Sequence, residues 1–227
     1  MNQDLSFLRM KKFLLLSHYA PKPGFKYPGI DCPLAHRETA HKRIYDFERF
    51  WGESVLWRTI EVENTSIEDL EALINNEPWD AVWLSGSPYL LSETQTQPWI
   101  KNALKISESL LKAQIPVVGL CFGLQLLAKA SGATVTETDT YKSGEIDIFD
   151  LEHNKLLRTR TYHENYVANL PSTAKTLGQT KCGMPYIVKF NKKVLGIQSH
   201  PECALESMPE KQKAEMFWQQ LFLDLIK

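Results

Sequence analysis

Five short apolar runs constrain this chain more than any other feature of it: FLLL at 13–16, VLWRTIEV at 55–62, AVWL at 81–84, VVGL at 117–120 and VLGIQ at 194–198. Apolar runs this short suit strands that are buried on both faces. Longer amphipathic stretches separate them, and that alternation predicts a mostly parallel central sheet with helices on both faces. Ser66, followed by Glu68 and a periodic run to Ile74, predicts a capped helix; residues 98–113 predict another with Pro98 at its start. Residues 209–227 place Phe217, Leu221 and Leu225 on one face at helical spacing, as a last helix closing against the sheet would. No internal repeat, low-complexity segment or Pro/Gly/Ser linker divides the chain, so residues 1–227 read as a single α/β domain. A chain of 227 residues, 43% of them hydrophobic, can bury a sizeable core.

One segment breaks the alternation. Residues 18–33 carry four prolines, two glycines and a cysteine before a helical pattern resumes around residues 39–50. A long loop in a compact domain is uncommon and tends to be functional, so this one is a candidate lid.

Charge excludes some functions. The 26 Lys+Arg against 27 Asp+Glu leave a formal net charge of -1, and no basic run offers an electrostatic footprint for nucleic acid. The apolar residues 13–16 follow Lys11 and Lys12 but are too few for a signal sequence or a membrane span. Cys32, Cys121, Cys182 and Cys203 lie far apart without a C-x-x-C pair, which argues against a zinc knuckle and supplies no disulfide framework in a chain this long. A reducing cytoplasm is the expected compartment.

The chemistry begins where the fourth apolar run ends. Gly119-Leu120-Cys121-Phe122-Gly123 places a cysteine on the turn between a strand and a helical stretch over 122–131 that ends at Gly132. Small residues on both sides permit a tight backbone that presents the side chain above the sheet, as in a nucleophile elbow. The helix N-terminus behind it favours the thiolate. On this motif alone, a core cysteine beside strand-ending glycines is an equally good reading.

A thiolate nucleophile needs a base, and the base an orienting acceptor. Gln198-Ser199-His200-Pro201-Glu202 offers both. Pro201 biases His200 toward extended backbone, where residues two apart face the same side. His200 and Glu202 can then face Cys121 together, in the order Cys, His, Glu. Taken singly, either residue is more often an ordinary loop side chain. Ser85-Gly86-Ser87-Pro88, following another strand, is a turn whose backbone N–H groups could stabilise an oxyanion; Ser87 N–H and Phe122 N–H are the candidate donors.

Together these three motifs, spread over residues 14–202, resemble the class I (triad) glutamine amidotransferases, whose domain has a flavodoxin-like α/β fold. The C-F-G-x-Q form is similar to the glutaminase domain of GMP synthase and to stand-alone relatives, γ-glutamyl peptidases among them. The resemblance implies Cys121, His200 and Glu202 as catalytic residues and Gly86 and Gln125 as substrate contacts, with neither cofactor nor metal. It implies thiolate attack on the side-chain amide of glutamine, release of ammonia and hydrolysis of a γ-glutamyl thioester. Departures stand at Leu124, Ser199 and Ser87, the first two expected to reshape the pocket. His163-Glu164-Asn165 resembles a family element near the active site that often reads H-x-D, here with Asn in place of the carboxylate. A strand-edge polar cluster is an equal reading of it.

No synthetase domain is recognised on either side, so a synthetase partner accepting ammonia is one expectation. Hydrolysis of a γ-glutamyl peptide or conjugate is a second. A regulatory or partner-binding module without catalysis is a third, and the presence of all three triad residues argues against it.

Overall fold

The computed structural model describes residues 10–20, 22, 51, 55–202 and 211–226. Its centre is one sheet of nine strands in the order β2-β1-β3-β4-β9-β8-β7-β5-β6. The strands are β1 (Lys11–Ser17), β2 (Val55–Glu61), β3 (Ala81–Leu84), β4 (Val117–Leu120), β5 (Thr134–Asp150), β6 (Lys155–Asn169), β7 (Lys175–Gln179), β8 (Pro185–Lys189) and β9 (Val194–Ile197). All five apolar runs are strands, with ends within a residue or two of those expected. They form the parallel half, β2-β1-β3-β4-β9, in the flavodoxin-like order. The remaining four strands extend it in antiparallel fashion from β9 outward, an extension the apolar pattern did not announce.

Alternation along each parallel strand feeds two cores. Leu14, Leu16, Val82, Leu84 and Val117 face one side, where α1 (Ile67–Asn76), α2 (Pro98–Lys112) and α3 (Phe122–Ala130) supply Leu70, Ile100, Ile106 and Phe122. Phe13, Leu15, Trp83, Val118 and Leu195 face the other, with Trp51 and α4 (Lys211–Ile226). The α4 stripe is centred one residue from the expected position: Trp218, Phe222 and Leu225 are buried, and Phe217 and Leu221 pack at its margin. Ser66 caps α1 by accepting from the Asp69 backbone N–H at 3.1 Å, and Gly132 follows α3 at φ 89°, each as its residue type favours. No helix among the described residues is long and apolar enough to cross a membrane.

In a parallel sheet the loops leaving the carboxyl ends of the strands gather on one edge, where open α/β sheets bind ligands. Here those loops carry His18 after β1, Ser85–Ser87 after β3, Cys121 after β4 and Gln198–Glu202 after β9. Of the candidate lid, only residues 18–20 and 22 are described; the rest of 18–33, and the helical pattern expected over 39–50, lie outside the described residues.

Candidate functional site at the carboxyl edge of the parallel strands

Cys121 stands between β4 and α3 with φ 52° and ψ −103°, a region that non-glycine residues rarely adopt and that costs about 1–3 kcal/mol. The flanking glycines explain how the chain reaches it. A Cβ on Gly123 would lie 2.4 Å from the Leu84 carbonyl oxygen, and one on Gly119 would lie 2.6 Å from the Gly123 backbone. Strand β4, helix α3 and the end of β3 therefore meet backbone to backbone. Gly123 N–H donates to the Ser85 carbonyl at 3.1 Å, and Cys121 N–H to the Ile197 carbonyl at 2.7 Å. The elbow is thus tied to both neighbouring loops. The Phe122 N–H opens α3, among the first four amide groups that a helix leaves without an acceptor of its own.

After β9, the His200 backbone N–H donates to the Arg160 carbonyl of β6 at 2.8 Å. Its Nδ1 lies 2.7 Å from Glu202 Oε1, and both side chains are buried. A carboxylate there accepts the Nδ1 proton and leaves Nε2 as the proton-accepting nitrogen. Cys121 and His200 both border Tyr162. The Cys121 thiol donates to the Tyr162 carbonyl (Sγ···O 3.5 Å), while the Tyr162 and His200 rings approach to 5.8 Å between centroids. From the β9 side, the Gln198 amide donates to Cys121 Sγ at 3.7 Å.

Gly86 closes the other side. A Cβ there would lie 2.8 Å from His200 Cε1 and 3.4 Å from the Tyr19 hydroxyl oxygen, so only glycine lets this loop reach the imidazole. The loop is braced: Ser85 Oγ accepts from His18 N–H at 2.8 Å and donates to the Gly86 carbonyl at 2.8 Å. Ser87, where the family pattern has a second glycine, accepts from Tyr89 N–H through its hydroxyl at 3.1 Å. Of the residues expected to contact substrate, Gly86 borders His200. Gln125 is buried beneath the elbow and donates to the Asn165 carbonyl at 3.0 Å.

Two of the sequence departures are buried in the core. Leu124 is wholly buried and aims at Gly196, where a Cβ would meet its Cδ1 at 2.3 Å; it fills the core between helix and sheet. Ser199 is wholly buried as well. Conversely, three contributors were not singled out from the sequence. His18 lies stacked on Trp99 with centroids 6.1 Å apart, and burial pushes its pKa down to about 3 against a smaller opposing effect of the Ser85 backbone. Its place directly after the first parallel strand was a usable signal. The carbonyls of Arg160 and Tyr162 left none, because any residue type supplies them.

His163 follows Tyr162 on β6 with its side chain buried, and Nε2 lies 2.7 Å from the Tyr186 hydroxyl. Burial lowers its pKa to about 4, the Asn165 backbone opposes, and the charges of His200 and Lys142 lower it further. Neutral at pH 7, it belongs to a buried polar network with Tyr186 and Thr161, whose oxygens lie 3.3 Å apart.

Comparison with known proteins agrees with this architecture. Two solved structures superpose with a TM-score of 0.65: a glutamine amidotransferase from Thermotoga maritima, 16% identical, covering 96% of this chain and 99% of that one, and a putative GMP synthase subunit from Thermoplasma acidophilum, 14% identical, covering 96% and 94%. At such identity the likeness is one of fold. In sequence, a subunit of glutamine-hydrolyzing GMP synthase from Methanococcus maripaludis is 29% identical over 141 residues, 59% of this chain and 69% of the relative. A glutamine-hydrolyzing GMP synthase from Borreliella burgdorferi is 27% identical over 137 residues, and the match spans only 25% of that longer protein. The model of the family described as glutamine amidotransferase class-I matches residues 53–220, a span that takes in the elbow, the turn after β3 and the His-Pro-Glu segment. The chain belongs to the class-I glutamine amidotransferase family.

Proposed function

We propose that this protein hydrolyses the side-chain amide of glutamine through a Cys121–His200–Glu202 triad. The observation that carries the reading is the left-handed backbone of Cys121 at the turn between β4 and α3. Strain at a reactive side chain persists only where the surrounding structure enforces it.

In this mechanism His200 Nε2 takes the Cys121 proton, and the thiolate adds to the amide carbon of glutamine. Glu202 accepts from His200 Nδ1–H, which fixes the tautomer and stabilises the imidazolium. Backbone N–H groups of Ser87 and Phe122 donate to the oxyanion of the tetrahedral intermediate. His200 returns the proton to the departing nitrogen, and ammonia leaves. Water, deprotonated by the same imidazole, then hydrolyses the γ-glutamyl thioester to glutamate and regenerates the thiol. Gly86 and Gln125 contribute to the substrate's binding site. The protein acts in the cytoplasm, where reducing conditions keep Cys121 a thiol. The relative named as one component of a glutamine-hydrolysing synthase supports an ammonia-accepting synthetase as partner.

The test measures ammonia release from glutamine, with and without a candidate synthetase, beside cleavage of a panel of γ-glutamyl peptides. Ammonia from glutamine, lost in Cys121→Ala, is the expected result. Efficient peptide cleavage with negligible ammonia from glutamine would move the reading to a γ-glutamyl hydrolase. Turnover of neither substrate by the folded protein would leave a binding module.

A further inference from the structure

Away from the triad, on the antiparallel half of the sheet, lies a cavity of about 790 Å³ that none of Cys121, His200 and Glu202 lines. One wall is the β5–β6 hairpin. Lys142 stands opposite His163 in that ladder and Gly144 opposite Thr161, and directly opposed residues of antiparallel strands project to the same side. Nothing lies within 4 Å of the position a Gly144 Cβ would occupy. Thr161, His163 and Tyr186 line the cavity through their hydrogen-bonded network, Ile146 and Met184 give it an apolar surface, and Lys181 and Cys182 join from the segment between β7 and β8.

Charge and burial say what this space suits. Lys142 and Lys181 form no ion pair among the described residues. Of the two acids on the same cavity, Asp147 is held by Arg158 at 2.9 and 3.3 Å, so Lys142 and Lys181 outnumber the remaining acid, Glu145, beside an apolar wall. His163, 4% exposed, also lines the cavity, with its Nε2 on the Tyr186 hydroxyl at 2.7 Å.

The same strand segment serves the catalytic edge. Between Thr161 and His163 stands Tyr162, whose carbonyl accepts the Cys121 thiol hydrogen; one residue before Thr161, the Arg160 carbonyl holds the His200 backbone. Tyr186 is joined to that segment through Thr161 and His163. Burial pushes its pKa up to about 12, the Thr161 hydroxyl opposes, and the charges of Cys121 and Cys182 both add to the rise.

We propose that the cavity is a binding site for a small organic carboxylate, its anionic end between Lys142 and Lys181 and its apolar body against Ile146 and Met184, and that its occupancy is transmitted through residues 160–163 of β6 to the reactivity of Cys121. Apolar lining favours an organic anion over inorganic phosphate, which would leave that surface uncovered. The binding site stands independently of the glutaminase reading; only the transmission rests on Cys121 as the reactive thiol.

Cys182 gives a readout at the site itself, since it is exposed and the Thr180 hydroxyl beside it holds its thiol below the usual range. The full chain is titrated with benzoate at constant ionic strength, with sodium chloride as the control. Alkylation of Cys182 and Cys121 by iodoacetamide is followed by mass spectrometry. Benzoate should slow Cys182 alkylation several-fold and saturably, and change the Cys121 rate at least twofold with the same midpoint. Lys142→Met with Lys181→Met, which keeps the apolar stems, should abolish both effects. Thr161→Val, should the double variant fold poorly by circular dichroism, should weaken them. Absence of saturable protection, or equal protection in the folded double variant, would overturn the site. Protection of Cys182 with no change at Cys121 would overturn the transmission, whatever the substrate of the enzyme proves to be.

Discussion

On β1, β3, β4 and β9 the buried positions are filled almost wholly by Phe, Leu, Val, Ile, Trp and Ala, facing two cores. On β6, strict alternation buries Leu157, Thr159, Thr161, His163, Asn165 and Val167, four of them polar. The parallel half is stabilised by apolar burial and carries the candidate site in the loops at its carboxyl edge. The antiparallel half keeps polar groups inside, Thr161 and His163 among them bonded to Tyr186. Its contribution to the catalytic edge is backbone: the Tyr162 carbonyl for Cys121 and the Arg160 carbonyl for His200. One half carries the side chains of the proposed triad, and the other binds two of them through its backbone.

That division sets the largest expected effect on the loops of the parallel half. His200→Ala should lower glutamine turnover by a factor of about a thousand or more, because the base moves a proton in each step. Glu202→Gln should leave more activity, since Gln still reaches the imidazole but weakens the tautomer preference. Steady-state ammonia release measures both. Wild-type rates in His200→Ala would mean that another group serves Cys121 and would break the comparison at its centre.

A second test separates geometry from chemistry. Gly123→Ala adds a methyl 2.4 Å from the Leu84 carbonyl oxygen, a backbone atom that cannot swing away. The elbow must shift, and stability measured by urea denaturation should fall by about 1–3 kcal/mol, with turnover falling too. On the antiparallel side, Tyr186→Phe removes the hydroxyl that pairs with His163 and Thr161. It should cost about 1–2 kcal/mol, the order expected for a buried polar group left alone, while turnover changes only a few-fold. A loss of turnover in Tyr186→Phe as large as in His200→Ala would show that the polar network does chemistry as well as support.

The same contrast explains what could be read from the sequence. FLLL, AVWL and VVGL announce strands because both faces of each are buried. The stripe Thr159, Thr161, His163, Asn165 lacks an apolar period, although it alternates perfectly in space. Its partner β5 likewise mixes Thr, Glu, Asp and Lys with two isoleucines. A period built from hydrogen-bonded polar residues is silent to a reading based on hydrophobicity. The edge of the parallel half was legible in greater detail, because an elbow needs glycines where backbones touch and His-Pro-Glu forces two side chains to one face. The supporting carbonyls and the mixed sheet could not be read in this way, since backbone groups carry no residue signature.

The smallest effect concerns pH, and it compares the halves directly through one buried histidine in each. His18, at the end of β1, and His163, on β6, have folded pKa values lowered from 6.5 to about 3 and about 4, with burial the main cause of both. An unfolded chain binds a proton on each below pH 6.5, whereas the folded chain does not until pH approaches those lowered values. Protons therefore favour the unfolded state in this window, and the stabilising contribution present above pH 6.5 is lost as pH falls. Between pH 6 and pH 5 each histidine should remove about 1 kcal/mol of unfolding free energy. His18→Gln and His163→Gln should each flatten the pH dependence by about that amount, and the double variant by their sum, because the two sites share no hydrogen-bond partner. Urea denaturation at pH 5, 6 and 7 measures it. A slope unchanged in His163→Gln would mean that this histidine takes up its proton while the chain is folded, and the inward stripe of β6 would then be wetter than a buried polar network allows.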